Sequence, residues 1–418
     1  MQTVIIGGGA AGSYAAVFAA RKGDSVTLIE PNGRIGKKLG ITGKGRCNIT
    51  NSCDFDALMK NIAKNSSFLY SAFSRFDQES CMSFFEELGV SLKTERGGRV
   101  FPVSDKAQDI VKALERELKR LNVKTVPERA VEITADEKAV NGVKTDKGFY
   151  KADKVILATG GLSYPSTGST GDGYKLAKSL GHTVTELKPA LVPLETEKTY
   201  PSAAGLTLKN ISLSLFEQKS GKKIFSELGE MTFETYGIGG PLVLTASALM
   251  ESGERHRYSA VVDFKPALDT EKLDKRLLRE INGESERSSH NRQLTAAPKK
   301  AKTAADIVRT LLPSQLVPPL LETAGLDGQK RAAEISKADR KALCNALKNH
   351  TLYIKGFRPI REAIVTDGGV NVKEISPKNM ESRFVKGLFF AGEIIDAVGF
   401  TGGFNLQIAY STARAAAE

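Results

Sequence analysis

The segment that most constrains this chain is its first thirty residues. Residues 3–6 are apolar, residues 7–12 read Gly-Gly-Gly-Ala-Ala-Gly, residues 13–22 are rich in alanine, and residues 25–30 are a second apolar run ending in an acid. This order predicts strand, glycine turn, helix and strand, the opening of a dinucleotide-binding fold. Gly7 permits the tight turn, Gly9 lets the backbone approach a pyrophosphate, and Gly12 allows helix and strand to pack closely. The start of the helix offers free N–H groups and the positive end of a dipole. Glu30, 18 residues beyond Gly12, stands where an acid accepts both ribose hydroxyls of an adenosine. An acid there repels a 2′-phosphate, which leaves FAD or NAD.

Length and composition set the outer limits. At about 100–200 residues per domain, 418 residues make two or three domains. The chain is 41% hydrophobic and 26% charged, which excludes disordered and fibrous classes. Its most apolar stretch, residues 4–20, is broken by glycines and has no basic leader, so neither a membrane span nor a secretory signal is expected. The four cysteines contain no C-x-x-C pair and the four histidines are scattered, so no disulfide framework and no metal site is expected. A reduced, cytoplasmic protein is the expectation. The net charge of +12, with a pI near 9.3, favours acidic partners such as nucleic acid, anionic lipid or phosphorylated small molecules.

The pattern changes twice along the chain. A helix is predicted over 106–121 and a buried strand over 154–159. Residues 191–265 read as strands at 206–215, 223–225, 230–233 and 258–264, a small antiparallel sheet or barrel. Residues 271–350 read as helices broken at Pro313, Pro318 and Pro319, and carry 16 basic against 10 acidic residues, half of the net excess. Arg287, Arg292, Lys299, Lys300 and Lys302 lie in the most polar part of that block and are candidate contacts to a phosphate-bearing substrate. Strand character returns near Lys355. The predicted division is residues 1–190 for the first part of a nucleotide-binding domain, 191–268 for a barrel-like insert, 269–354 for a basic helical insert, and 355–418 for the second part.

Two further motifs belong to the same site. Residues 36–51 (GKKLGITGKGRCNITN) alternate glycines with Lys37, Lys38, Lys44 and Arg46, a composition unsuited to a core helix and suited to a backbone wrapped around an anionic cofactor or to a flexible basic loop. Near the other end, an apolar run at 387–391 enters Gly392-Glu393, and Thr401-Gly402-Gly403 opens a last helix beginning with Phe404 and Asn405. In flavoproteins such an acid lies near the ribityl and pyrophosphate, and such a helix N-terminus stabilises negative charge on the reduced isoalloxazine. This block selects FAD.

GGGAAG, GKKLGITGKGRCNITN, GGRVFP at 97–102, ILATGG at 156–161, YGIGGPLVLTAS at 236–247, AIVTDGGVNV at 363–372, MESRFVKGLFFAGEIID at 380–396 and GFTGGFNLQIAYSTA at 399–413 occur in this order. Together they resemble the bacterial family of FAD-dependent proteins that includes aminoacetone oxidases, a bile-acid-reducing enzyme and the ribosomal RNA dihydrouridine synthase. Ser411-Thr412-Ala413-Arg414 departs from relatives, which usually carry a glycine after the serines; only packing of the last helix is expected to change. The resemblance implies an α/β fold: a glutathione-reductase-like Rossmann FAD domain with an inserted antiparallel β-barrel and a small helical domain. It implies FAD contacts from Gly7, Gly9, Ala10, Ala11, Gly12, Glu30, Lys38, Leu39, Thr42, Gly43, Gly45, Arg46, Cys47 and Asn48. Further contacts are implied from Ala130, Ala158, Thr159, Gly160, Gly392, Glu393, Gly402, Gly403, Phe404 and Asn405.

No second G-x-G-x-x-G follows a strand, so NADH or NADPH would approach the flavin only transiently. The leading expectation is reduction of a uridine in 23S ribosomal RNA, with hydride delivered to C6 and an acid protonating C5. Cys47, beside Arg46, is the candidate proton donor, on the argument that an adjacent cation lowers its pKa; a small buried packing residue is the competing reading. Arg96 and Arg99 form either a substrate-facing loop or a plain hairpin turn. His182 is read as a helix C-terminal cap. Arg358 and Arg361 are open between phosphate contact and structural pairing. The alternatives are an oxidase of a small amine such as aminoacetone and a flavin-bearing RNA-binding factor.

Overall fold

The computed structural model describes residues 1–251, 256–283 and 302–418. The chain divides into two compact units, Met1–Val192 with Pro359–Glu418, and Pro193–Arg358. The first unit begins with β1 (Gln2–Ile6), α1 (Ala10–Arg21) and β2 (Ser25–Ile29). α1 starts three residues before the predicted helix, because the second half of the glycine turn is already its first turn. α2 (Ala107–Arg120) buries Ile110, Val111, Leu114 and Leu118 on one face, as the helical spacing predicts. β3 (Lys124–Val126) and β4 (Lys154–Leu157) follow, and every residue of β4 is buried.

The second unit is a closed antiparallel barrel with helices. Its strands are β5 (Leu194–Thr196), β6 (Thr207–Glu217), β7 (Lys223–Glu234), β8 (Gly237–Gly239), β9 (Tyr258–Asp263) and β10 (His350–Phe357). They close in the order β5-β8-β7-β6-β9-β10. The two short runs expected at 223–225 and 230–233 are one strand, β7, because β6 supplies a hydrogen-bonding partner across the polar residues between them. α3 (Pro241–Ser247) precedes β9. Between β9 and β10 lie α4 (Thr270–Ile281), α5 (Ala304–Arg309), α6 (Val317–Ala324) and α7 (Lys337–Lys348). Pro318 and Pro319, expected as breakers, stand in the first turn of α6 instead, where a missing N–H costs no helical bond. Ile211, Leu213, Leu215, Met231 and Phe233 point inward and share a core with Leu273, Leu277, Ile307 and Leu343.

The chain then returns to the first unit with β11 (Leu388–Phe390) and α8 (Phe404–Ala417). The sheet order is β11-β4-β1-β2-β3, with every neighbouring pair parallel. Residues 4–6 of β1 and 155–157 of β4 are apolar on both faces, as a parallel sheet covered on both sides requires. Both chain ends therefore contribute to one sheet. No helix among the described residues is long and apolar enough to cross a membrane.

Candidate dinucleotide site

The N-terminal turn is built by steric necessity. Gly7 has φ +101°, and a Cβ on it would stand 2.5 Å from the Ala158 carbonyl oxygen. A Cβ on Gly12 would stand 1.7 Å from the Gly7 carbonyl oxygen, whereas one on Gly9 would meet nothing within 4 Å. The backbone is thus closed on the protein side and open at Gly9. α1 has no side-chain cap, so Ala10 and Ala11 begin a helix whose first N–H groups await an acceptor. Glu30 is buried at 7% exposure, taking the Gly8 N–H on Oε2 at 2.8 Å and the Asn32 backbone and side-chain N–H groups on Oε1, each at 2.8 Å.

The C-terminal motif packs directly on this turn. A Cβ on Gly392, at φ +76°, would stand 2.7 Å from the Ala11 Cβ. Glu393 accepts from Lys38 Nζ at 2.7 Å, Ser163 Oγ at 2.8 Å and the Thr366 N–H at 2.9 Å. Burial opposes its ionisation, yet the Lys38 ammonium and these donors hold its carboxyl below the usual range. Lys38 Nζ also donates to Ser163 Oγ at 2.6 Å. Ser163 and Thr366 were missed by sequence reading, although both adjoin or lie within quoted motifs.

The basic glycine loop joins the two. Gly36 N–H donates to the Gly8 carbonyl at 2.8 Å, and Leu39 is buried, with its carbonyl accepting from Thr42 Oγ1 at 2.7 Å. Gly43, Lys44, Gly45 and Cys47 all adopt positive φ. The loop reaches the start of α8: Asn51 Nδ2 donates to the Gly402 carbonyl at 3.1 Å, and a Cβ on Gly403 would lie 2.4 Å from the Thr50 carbonyl oxygen. α8, like α1, has no side-chain cap. Phe404 is buried, and Asn405 exchanges hydrogen bonds with Gly399 at 2.9 and 2.7 Å. Asn48 Oδ1 accepts the Val100 N–H at 3.1 Å.

At the third strand end, Ala158 N–H bonds to the Ile6 carbonyl at 2.9 Å and Gly160 sits at φ +72°. The buried Thr159 hydroxyl has no hydrogen-bond partner. Ala130 is buried at the start of its strand.

The expectation that Arg46 lowers the Cys47 pKa is corrected. The Arg46 guanidinium turns to Asp105 (Nε, 2.8 Å) and Glu95 (Nη2, 2.5 Å) and lies over the Phe101 ring at 4.1 Å. Cys47 is fully buried, and burial pushes its thiol up to about 12. The positive φ at Cys47 sends its side chain into the core while its sequence neighbour points to the surface.

Arg96 and Arg99 are exposed on the turn between strands Leu92–Glu95 and Arg99–Pro102, where Gly97 and Gly98 take positive φ and Arg99 Nε donates to the Arg96 carbonyl at 3.2 Å. His182 N–H closes the end of helix Asp172–Ser179 on the Ala177 carbonyl, while its ring bonds Glu374 at 3.2 Å and Ser382 at 2.8 Å. Arg358 pairs with Glu195 at 2.9 Å. The Lys302 carbonyl accepts the Ala332 N–H at 2.8 Å. Arg287, Arg292, Lys299 and Lys300 lie outside the described residues.

Two uncapped helix starts, the buried Glu30 and the part-buried Glu393 thus surround one glycine-lined strand edge. That donor and acceptor set fits an extended ligand with a pyrophosphate and two polyol segments.

A sequence profile described as the HI0933-like protein Rossmann domain matches residues 1–418. The chain is 35% identical over 426 aligned positions to a 3-dehydro-bile acid delta(4,6)-reductase of Clostridium scindens, covering 99% of this chain and 98% of that protein. It is 33% identical to a ribosomal RNA dihydrouridine synthase of Haemophilus influenzae, covering 100% and 97%. Among solved structures, a 3-ketosteroid delta1-dehydrogenase of Sterolibacterium denitrificans shares the fold at a TM-score of 0.51 and 13% identity, covering 100% of this chain and 98% of that one.

Proposed function

The chain belongs to the HI0933-like family of FAD-dependent oxidoreductases, and we propose that it reduces the C5=C6 bond of a uridine in ribosomal RNA, taking electrons from transient NADH or NADPH. The observation that carries this reading is the end-to-end match to a ribosomal RNA dihydrouridine synthase on a chain of net charge +12. A polyanionic substrate is attracted by such a surface, whereas a small cationic amine is repelled.

When bound, FAD supplies hydride chemistry. Glu30 would accept the ribose hydroxyls, and the α1 start at Gly9, Ala10 and Ala11 would face the pyrophosphate. Glu393, kept ionised by Lys38, would accept from the ribityl chain, and the α8 start at Gly402 and Gly403 would stabilise negative charge. Lys38 would also offset the electrostatic cost of placing an anionic cofactor beside the Glu393 carboxylate.

A second reading is favoured by the 35% identity to a bile-acid reductase: a small apolar enone as substrate. Both relatives' names describe saturation of a carbon–carbon double bond conjugated to a carbonyl, so the same chemistry serves either. Deleting the gene and mapping dihydrouridine in ribosomal RNA separates them. The expected result is loss of one dihydrouridine, restored by the wild-type gene. Unchanged dihydrouridine, with purified protein reducing a 3-oxo-4,6-diene bile acid or oxidising a small amine while molecular oxygen is reduced to hydrogen peroxide, overturns the ribosomal reading.

A further inference from the structure

The outer wall of the barrel carries a feature that the dinucleotide site does not use. Phe216 on β6, Ser259 on β9 and Tyr353 on β10 are direct cross-strand neighbours, Phe216 opposite Ser259 and Ser259 opposite Tyr353. Inward-facing Leu215, Ala260 and Leu352 alternate with these residues, so the three share the outer face. The two rings stand two strand spacings apart, roughly 10 Å. Tyr353 is 49% exposed and Phe216 is half-buried. With Val261, Thr351 and Gln218 they line an open groove of about 310 Å³.

Exposed lysines fringe this groove. Lys222 and Lys223 on the β6–β7 hairpin and Lys355 on β10 are exposed, and Lys223 opposes Phe216 with its Nζ 5.9 Å from the ring centre. Glu217, which lines the groove, takes the Arg257 Nε and Nη2 on Oε1 at 3.0 and 2.9 Å; Arg257 Nη1 also pairs with Glu251 at 2.8 Å, and Glu197, whose N–H bonds the Tyr353 carbonyl, pairs with His256 at 3.2 Å. Exposed rings on a β-face fringed by exposed lysines match a ligand that has planar faces and an anionic backbone. A membrane would require a broader apolar patch than two rings separated by a serine.

We propose that this barrel face binds single-stranded RNA, stacking bases on Phe216 and Tyr353 while Lys222, Lys223 and Lys355 contact phosphates. It deepens the ribosomal reading, on which it rests, by naming where that substrate is gripped outside the reaction site.

The test is fluorescence anisotropy of a fluorescein-labelled 15-mer of oligouridine with the full FAD-loaded chain. Phe216→Ala with Tyr353→Ala is expected to weaken binding about tenfold or more, with unchanged flavin content and melting temperature. Phe216→Tyr with Tyr353→Phe keeps both rings and is expected to keep the affinity. Lys222→Ala with Lys223→Ala is expected to flatten the salt dependence of binding. Should the double alanine variant unfold, Tyr353→Ala alone, at an exposed side chain, is expected to weaken binding at least threefold. Binding within twofold of wild type in a folded ring-deleted variant overturns the proposal, as does a photo-crosslink to oligouridine that maps only to other peptides. RNA held here by a chain that leaves ribosomal uridine unreduced sinks the substrate reading alone. Full dihydrouridine formation with undiminished RNA affinity in the ring-deleted variant sinks this proposal alone.

Discussion

Single residues show how sequence adjacency and spatial adjacency part company. Arg46 and Cys47 are consecutive, yet one stacks on Phe101 and the other is sealed in the core. With its thiol pushed up to about 12, Cys47 stays protonated at any working pH but has no exposed surface through which to give a proton away. Cys47→Ala is therefore expected to cost about 1 kcal/mol of stability while retaining turnover per bound flavin within threefold. Paired denaturant melts and flavin-normalised rates check it, and loss of turnover in a folded, flavin-loaded variant would restore the donor role. Glu30 was legible from the sequence because strand, turn, helix and strand are local and the spacing fixes its place. Ser163, Thr366 and Asn51 were not, because each reaches its partner across a separation that no local pattern encodes.

Elements were legible where one face or both faces are uniformly apolar. α2 and β4 follow their hydrophobic patterns closely, whereas β7 was split at its polar middle because its partner strand is invisible in its own sequence. Likewise β10 lies beyond the helical block, so a reader of local pattern does not see that it closes the barrel begun at β5. β4 also carries a cost. Lys154 is 4% exposed, its ammonium 4.3 Å from the Phe389 ring centre, and burial pulls its pKa down to about 8. Since the unfolded chain binds that proton more tightly, stability should rise as pH climbs from about 8 towards 10.5, and the penalty is in full force below 8. Lys154→Met is expected to raise the melting temperature at pH 7 by roughly 2 °C and to flatten that rise. An unaltered pH profile of thermal melting would refute the assignment.

At the scale of the whole molecule, the first unit is made by the two ends of the chain. Gly392 lies against Ala11, Gly36 against Gly8, and Gly403 against Thr50, so three distant glycine motifs form one wall. The order of the motifs made that convergence legible, because only a sheet that takes strands from both ends can use all of them. The charge excess was legible too: Arg287, Arg292, Lys299 and Lys300 lie outside the described residues, and the exposed lysines beside Phe216 and Tyr353, in the same inserted unit, are too scattered in sequence to stand out. The most direct test is calorimetric titration of the flavin-stripped full chain with FAD. One FAD per chain is expected, with affinity falling about tenfold both in Glu30→Gln, from the first motif, and in Glu393→Gln, from the last. A chain that takes up no FAD, or one whose affinity is indifferent to Glu393→Gln, would contradict a site shared by the two ends.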